Sequence, residues 1–179
     1  MFSPALRRAL VQKTTVAPVA ARSFAAAPLK KVIFTAHGEA DAGTREGNVK
    51  SFGEHHGNLS LKLEKHPAHG GKGGGTNPEE LFSLGYAACF NGALRLCAEK
   101  NGIKIGDSTV QAATSLGVVS EEMTAGVPLR VGLAVKLDVE IAGVDDATAQ
   151  KCADLAHEFC PYSRATRDNI TVEVSAKGK

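Results

Sequence analysis

The stretch from Gly75 to Lys100, GTNPEELFSLGYAACFNGALRLCAEK, limits most what this chain of 179 residues can fold into. Asn77 is placed to cap a helix, Pro78 suits the first turn, and Glu80 stands three residues after the cap, as in a capping box. No charge then appears until Arg95, and Gly102 follows the expected end. Between Leu81 and Leu94 the only polar side chains are Ser83, Tyr86, Cys89 and Asn91. A helix apolar on every side is buried rather than amphipathic. It is short for a membrane span and is interrupted by Gly85 and Gly92. A single cysteine among alanines in such a helix is ordinarily an inert core residue, so the rest of the chain has to decide what Cys89 does.

With 43% hydrophobic residues the chain can build one domain around its own core. A formal charge of +2 is nearly balanced and gives no reason to expect a nucleic-acid partner. The excess is local. Arg7, Arg8, Lys13, Arg22, Lys30 and Lys31 precede the first acidic residue, Glu39. This Ala-, Arg-, Ser- and Thr-rich start has the composition of a mitochondrial transit peptide. Its arginines break up any apolar run of the kind a secretory signal needs. Arg22-Ser23-Phe24-Ala25 resembles a matrix-protease site. The expected organisation is therefore a transit peptide at 1–24, a domain at 25–179 and a matrix address. Loss of Arg7, Arg8, Lys13 and Arg22 takes the charge from +2 to −2. The four cysteines, Cys89, Cys97, Cys152 and Cys160, are too few and too dispersed for a secreted disulfide scaffold.

Lys31–Ala36 reads as a first strand by its β-branched and aromatic content, and His37–Gly47 as a polar loop carrying Arg45. Asn48–Phe52 and Asn58–Leu63 read as a hairpin, followed by a glycine-dense loop at Glu64–Gly75. After the apolar helix, Ser108–Glu121 and Val127–Ile141 form a long antiparallel hairpin. Asp145–Cys160 is a second helix ended by Pro161, with Ser163 placed to cap a following turn, and Asn169–Ala176 is a last strand. The class is α+β, with antiparallel sheets packed on a central helix.

Two readings of the glycine-dense loop fail on chemistry. GGKGGGTN has its lysine in the wrong place for a phosphate loop. His66 and His69 lack further ligands nearby for a metal. The cysteines say more. Cys89 and Cys97 are eight residues apart on one helix, about 12 Å along its axis, and Cys152 and Cys160 repeat that spacing. Neither same-helix pair can reach the roughly 5.5 Å Cα separation of a disulfide, so any bridge joins the two helices. Cys160 lies at the joint before Pro161 and Cys89 deep in the other helix, which suits a resolving and an attacking thiol. A thiol buried among alanines has a raised pKa and needs a cation to react. Arg45 is the candidate cation, and Glu79, not required by the capping box, is the carboxylate that could hold its guanidinium.

Three strings, Gly75-Thr76-Asn77-Pro78-Glu79-Glu80-Leu81-Phe82, Gly85-Tyr86-Ala87-Ala88-Cys89-Phe90 and Cys160-Pro161-Tyr162-Ser163, resemble the organic hydroperoxide resistance (Ohr) family of the Ohr/OsmC superfamily. The likeness runs from about Lys31 to the end. It implies an OsmC-like fold in an intertwined homodimer, with Cys89 peroxidatic, Cys160 resolving, and Arg45 and Glu79 completing the site. The activity implied is thiol-dependent reduction of alkyl and fatty-acid hydroperoxides to alcohols, through a sulfenic acid and a Cys89–Cys160 disulfide. Dihydrolipoamide or lipoylated proteins would be the reductant, and no metal, flavin or haem cofactor is needed. Cys160-Pro161-Tyr162-Ser163 also resembles a monothiol glutaredoxin motif, but only 16 residues follow Ser163, too few to build that fold. A non-enzymatic redox sensor or ligand-binding dimer on the OsmC-like fold is the remaining alternative. Leu81, Phe82, Phe90 and Leu94 are expected to surround the site and favour alkyl chains. Glu79 and Cys89 are ten residues, or about 15 Å, apart on a straight helix. The site is therefore expected to be shared between two chains, the alternative being a kink at Gly85.

Overall fold

The computed structural model describes residues 28–41, 46–54, 57–123 and 125–179. The chain divides into two units, Met1–Thr35 and Ala36–Lys179. Of the first, the described residues 28–35 carry neither helix nor strand, and Val32, Ile33 and Phe34 are exposed, Ile33 by 90%. The strand expected at Lys31–Ala36 is therefore absent. Its residues have the composition of a strand, but a strand also needs a neighbour, and none pairs with them among the described residues. The expected transit peptide and its boundary at residue 24 lie outside the described residues.

The second unit holds every described element. Strands β1 (His37–Ala40), β2 (Gly47–Phe52) and β3 (Ser60–Leu63) form an antiparallel sheet in that order. Part of the expected polar loop is thus β1, whose His37 lies opposite Phe52. A 3-10 turn (Pro67–His69) interrupts the glycine-dense loop. A bridge between Leu63 and Thr76 then ties the entry of the central helix to β3.

Helix α1 (Pro78–Lys100) starts as its sequence dictates, with the Asn77 side chain accepting the Glu80 N–H at 2.8 Å. The capping box closes differently: the Glu80 carboxylate accepts the Thr76 hydroxyl at 2.7 Å. Gly102, at φ +67°, lets the chain turn back at the far end, where the Ile103 N–H reaches the Ala98 carbonyl. By length and composition alone α1 could cross a membrane. In the fold, Tyr86, Phe90, Ala93, Leu94 and Ala98 bury one side of it in the core. The opposite stripe, Leu84, Ala88, Gly92 and Leu96, is exposed, so burial on every side is not achieved within one chain.

Strands β4 (Ser108–Ser120) and β5 (Arg130–Ile141) make the long antiparallel hairpin. The last strand, β6 (Thr171–Gly178), starts two residues later than expected and pairs with β5 in parallel, Ala134 opposite Thr171. Helices α2 (Asp146–Phe159) and α3 (Pro161–Thr166) form the crossover that a parallel pair requires. Asp145 caps α2 through the Thr148 N–H at 2.7 Å. The small residues Ala149, Cys152, Ala153 and Ala156 make the buried face of α2, and they let α1 come close. One core joins these faces to Val135, Leu137, Val139 and Ile141 of β5. The outcome is an α+β fold in which the central helix and its α2 companion lie on the β4–β5–β6 sheet.

Candidate active site

The chemistry gathers at the α2–α3 joint. Cys160 is the last residue before Pro161 opens α3, and its side chain is fully buried. Its Sγ lies 3.4 Å from the Sγ of Cys89, halfway along α1. All four cysteines are free thiols. The sulfurs need approach only about 1.4 Å further to reach the roughly 2.0 Å of a disulfide. Cys89 is only partly buried, so the pair has one accessible member and one enclosed member.

Two contacts set the joint against α1. The Tyr86 phenol, fully buried, donates to the Ser163 hydroxyl at 3.0 Å and lies 3.3 Å from the Thr166 hydroxyl. Ser163 is therefore inside α3 and is not the cap expected from its position. Tyr162 lies over Gly85 so closely that a Cβ there would come 2.9 Å from the phenol oxygen. That approach is what Gly85 permits, and α1 continues through it as unbroken helix. Phe82, Tyr86 and Tyr162 form a ring cluster with centroids 5.7–6.0 Å apart.

Electrostatically the Cys89 thiol is pulled both ways. Burial, the largest influence, raises its pKa; the main-chain N–H of Tyr162 donates to it and lowers it; the neighbouring Cys160 raises it again. The net direction of these influences is upward. His157 stands one turn before Cys160. Burial first, and Arg167 second, hold its pKa below the ordinary imidazole value, and its Nδ1 is buried without a partner.

Of the other two expected residues, only Glu79 is among the described residues. Arg45 lies in the β1–β2 connection, outside the described residues. The base of that connection is closed by Asp41, whose carboxylate accepts the Asn48 N–H at 2.7 Å and its amide at 3.1 Å. These bonds hold the Asp41 pKa below the usual carboxylate range. Glu79 is in the first turn of α1, and its ten-residue separation from Cys89 is kept by the unbroken helix. It lines a surface cavity of about 560 Å³ with His66, His69, Ser83, Leu84 and Thr114. His66 caps the 3-10 turn through the Ala68 N–H. No group of three or more metal-ligating side chains occurs among the described residues. Of the expected apolar surround, Phe90 and Leu94 belong to the closed core, which leaves Leu81 and Phe82 partly open.

Sequence reasoning missed the Tyr162 N–H and the Tyr86–Ser163–Thr166 cluster. A main-chain donor leaves no mark in a sequence, but Tyr86 does: a phenol in the middle of an apolar run has to find a partner.

Residues 71–175 match the family model for OsmC-like protein. The organic hydroperoxide resistance protein of Xanthomonas axonopodis pv. citri is 39% identical over 148 residues, covering 82% of this chain and 96% of that one. The crystal structure of an organic hydroperoxide resistance protein from Legionella pneumophila superposes with a TM-score of 0.72 at 36% identity, covering 82% of this chain and 99% of the other. That of OhrB from Bacillus subtilis gives 0.66 at 38% identity, covering 82% and 100%. With a family model matched over more than half its length and relatives covered almost end to end, the chain belongs to the Ohr/OsmC superfamily.

Proposed function

We propose that this chain is a cysteine-based peroxidase that reduces organic hydroperoxides to alcohols. The observation that carries the reading is the 3.4 Å approach of Cys160 to Cys89 across two helices, one thiol accessible and the other enclosed. The relatives named for organic hydroperoxide resistance support it. The Cys89 thiolate attacks the outer peroxide oxygen; the O–O bond breaks, and the alkoxide leaves as an alcohol on taking a proton. The sulfenic acid is then attacked by the Cys160 sulfur, an S–S bond forms, and water departs. Two thiols have given two electrons to the peroxide, and two from a dithiol restore them. We take that dithiol to be a dihydrolipoyl group.

The raised Cys89 pKa makes a cation necessary, and Arg45, oriented by Glu79, is the residue we assign to it. One chain separates Glu79 from Cys89 by about 15 Å, so the assignment goes with a two-fold dimer in which the sites are shared. The exposed stripe of α1 and the exposed residues Val32 to Phe34 are surfaces such a dimer would cover. The basic, acid-free start of the chain supports a mitochondrial address, where lipoylated complexes would supply the reductant.

The test is consumption of cumene hydroperoxide with dihydrolipoamide, reduced thioredoxin or glutathione side by side. Turnover is expected with dihydrolipoamide, and at least about tenfold faster than with hydrogen peroxide as substrate, a difference of about 1.4 kcal/mol in transition-state binding. One equivalent consumed and no turnover with any dithiol would mark a sensor rather than an enzyme.

A further inference from the structure

The first thiol pair has a counterpart on the same two helices. Along α1 the contacts run from α3 through the α2–α3 joint and back down α2. Tyr86 meets Ser163, Cys89 meets Cys160, Phe90 lies 6.5 Å from His157, and the Cys97 thiol donates to the Leu155 carbonyl at 3.6 Å. Eight residues on from Cys89 is Cys97, and eight residues back from Cys160 is Cys152. The second two cysteines are brought together by the Cys97 contact to Leu155 on α2, and Cys97 is close enough to act electrostatically on the Cys152 thiol. Leu155 is one turn of α2 from Cys152, which places Cys97 over that turn.

The two pairs also divide accessibility in the same way. On α1, Cys89 and Cys97 are each partly exposed, and on α2, Cys160 and Cys152 are each fully buried. The surroundings of the second pair are small and apolar, Ala98 on one helix and Ala149, Ala153 and Ala156 on the other, so the helices can approach closely. No third ligand makes this pair a metal site among the described residues.

We propose that Cys97 and Cys152 are a second oxidisable dithiol, which organic hydroperoxide converts, more slowly than the first pair, into a disulfide that staples α1 to α2. Cys97 sulfur attacks the peroxide oxygen, the O–O bond breaks, and the alkoxide takes a proton and leaves as alcohol. Cys152 sulfur then attacks the Cys97 sulfenic acid, the S–S bond forms, the S–O bond breaks, and hydroxide takes the remaining proton and leaves as water. Slowness follows from the donors. Cys89 accepts an N–H, whereas the Cys97 thiol gives its proton to a carbonyl, which favours the protonated form. Burial raises the pKa of both Cys97 and Cys152, with nothing at Cys97 to oppose it. The staple closes a long loop and holds together the two helices that carry the other pair.

The decisive material is the full-length double variant Cys89→Ser/Cys160→Ser, which retains only Cys97 and Cys152 of the four cysteines. Because both residues of the proposed peroxidase site are removed, its outcome is independent of that reading. With excess cumene hydroperoxide, the expected results are loss of both free thiols, an intact mass lower by two hydrogens, and a Cys97–Cys152 cross-linked peptide. The rate should be at least about tenfold below that of Cys89 in the wild type. Oxidation should also raise the Tm by roughly 5 °C or more, reversed by dithiol. Two thiols still titratable, an intermolecular dimer, or sulfinic acid on Cys97 with Cys152 unmodified would each overturn the proposal. If the double variant aggregates, wild-type protein in excess hydroperoxide should yield two intramolecular bridges. A wild-type protein whose Cys97 and Cys152 both remain alkylatable would equally overturn it.

Discussion

At the scale of residues, the account turns on what lowers the pKa of one thiol. Burial raises the Cys89 pKa, and a single N–H from Tyr162 works against it. A raised thiol pKa means that the reactive thiolate appears only as the pH climbs past the ordinary thiol value, unless a cation draws it down. The pH profile of Cys89 alkylation therefore reports on Arg45. In the wild-type protein the inflection should lie below the ordinary thiol value, and in Arg45→Ala it should move above it. Thiolate at neutral pH falls about tenfold for every pH unit of that rise. An inflection that stays in place removes Arg45 from the site. Glu79→Gln should move it in the same direction but less, since in the proposed site that side chain acts through the guanidinium.

Among the elements, α3 is short but decides where Cys160 sits. Its buried side-chain anchor to α1 is the Tyr86 phenol on Ser163 and Thr166. Tyr86→Phe keeps the ring and removes the oxygen, leaving a buried hydroxyl short of a partner, at a cost of about 1–2 kcal/mol. Closure of the Cys89–Cys160 disulfide should slow several-fold while sulfenic acid formation at Cys89 is unchanged. Stopped-flow with a sulfenic-acid trap separates the two steps, and equal slowing of both would contradict the positioning role. The helices were legible in the sequence because their signals are local: Asn77-Pro78 begins one, Pro161 ends another, and the eight-residue cysteine spacings force any bridge across the seam. The Lys31–Ala36 strand was misread, since strand formation depends on a neighbour that the sequence does not display. The parallel pairing of β6 was missed for the same reason: composition marks a strand, but the crossover through α2 and α3 sets its direction. Arg45 and Glu79 could be named from motif and charge, but helix spacing keeps Glu79 about 15 Å from Cys89.

For the whole molecule, the exposed stripe of Leu84, Ala88, Gly92 and Leu96 and the separation of Glu79 from Cys89 are the observations on which the proposed dimer rests. Subunit mixing tests this. Cys89→Ser and Arg45→Ala proteins, each inactive alone, should regain part of the activity after co-refolding, because one hybrid site carries both wild-type residues. Hybrids that form without recovering activity would exclude a shared site. The central claim, that the two thiols brought to 3.4 Å are the redox pair, is tested most directly by peptide mapping of wild-type protein after one equivalent of cumene hydroperoxide. The account predicts a Cys89–Cys160 cross-link as the first product, with Cys97 and Cys152 still alkylatable at that stage. A Cys97–Cys152 cross-link appearing first, with Cys89 unmodified, would contradict it.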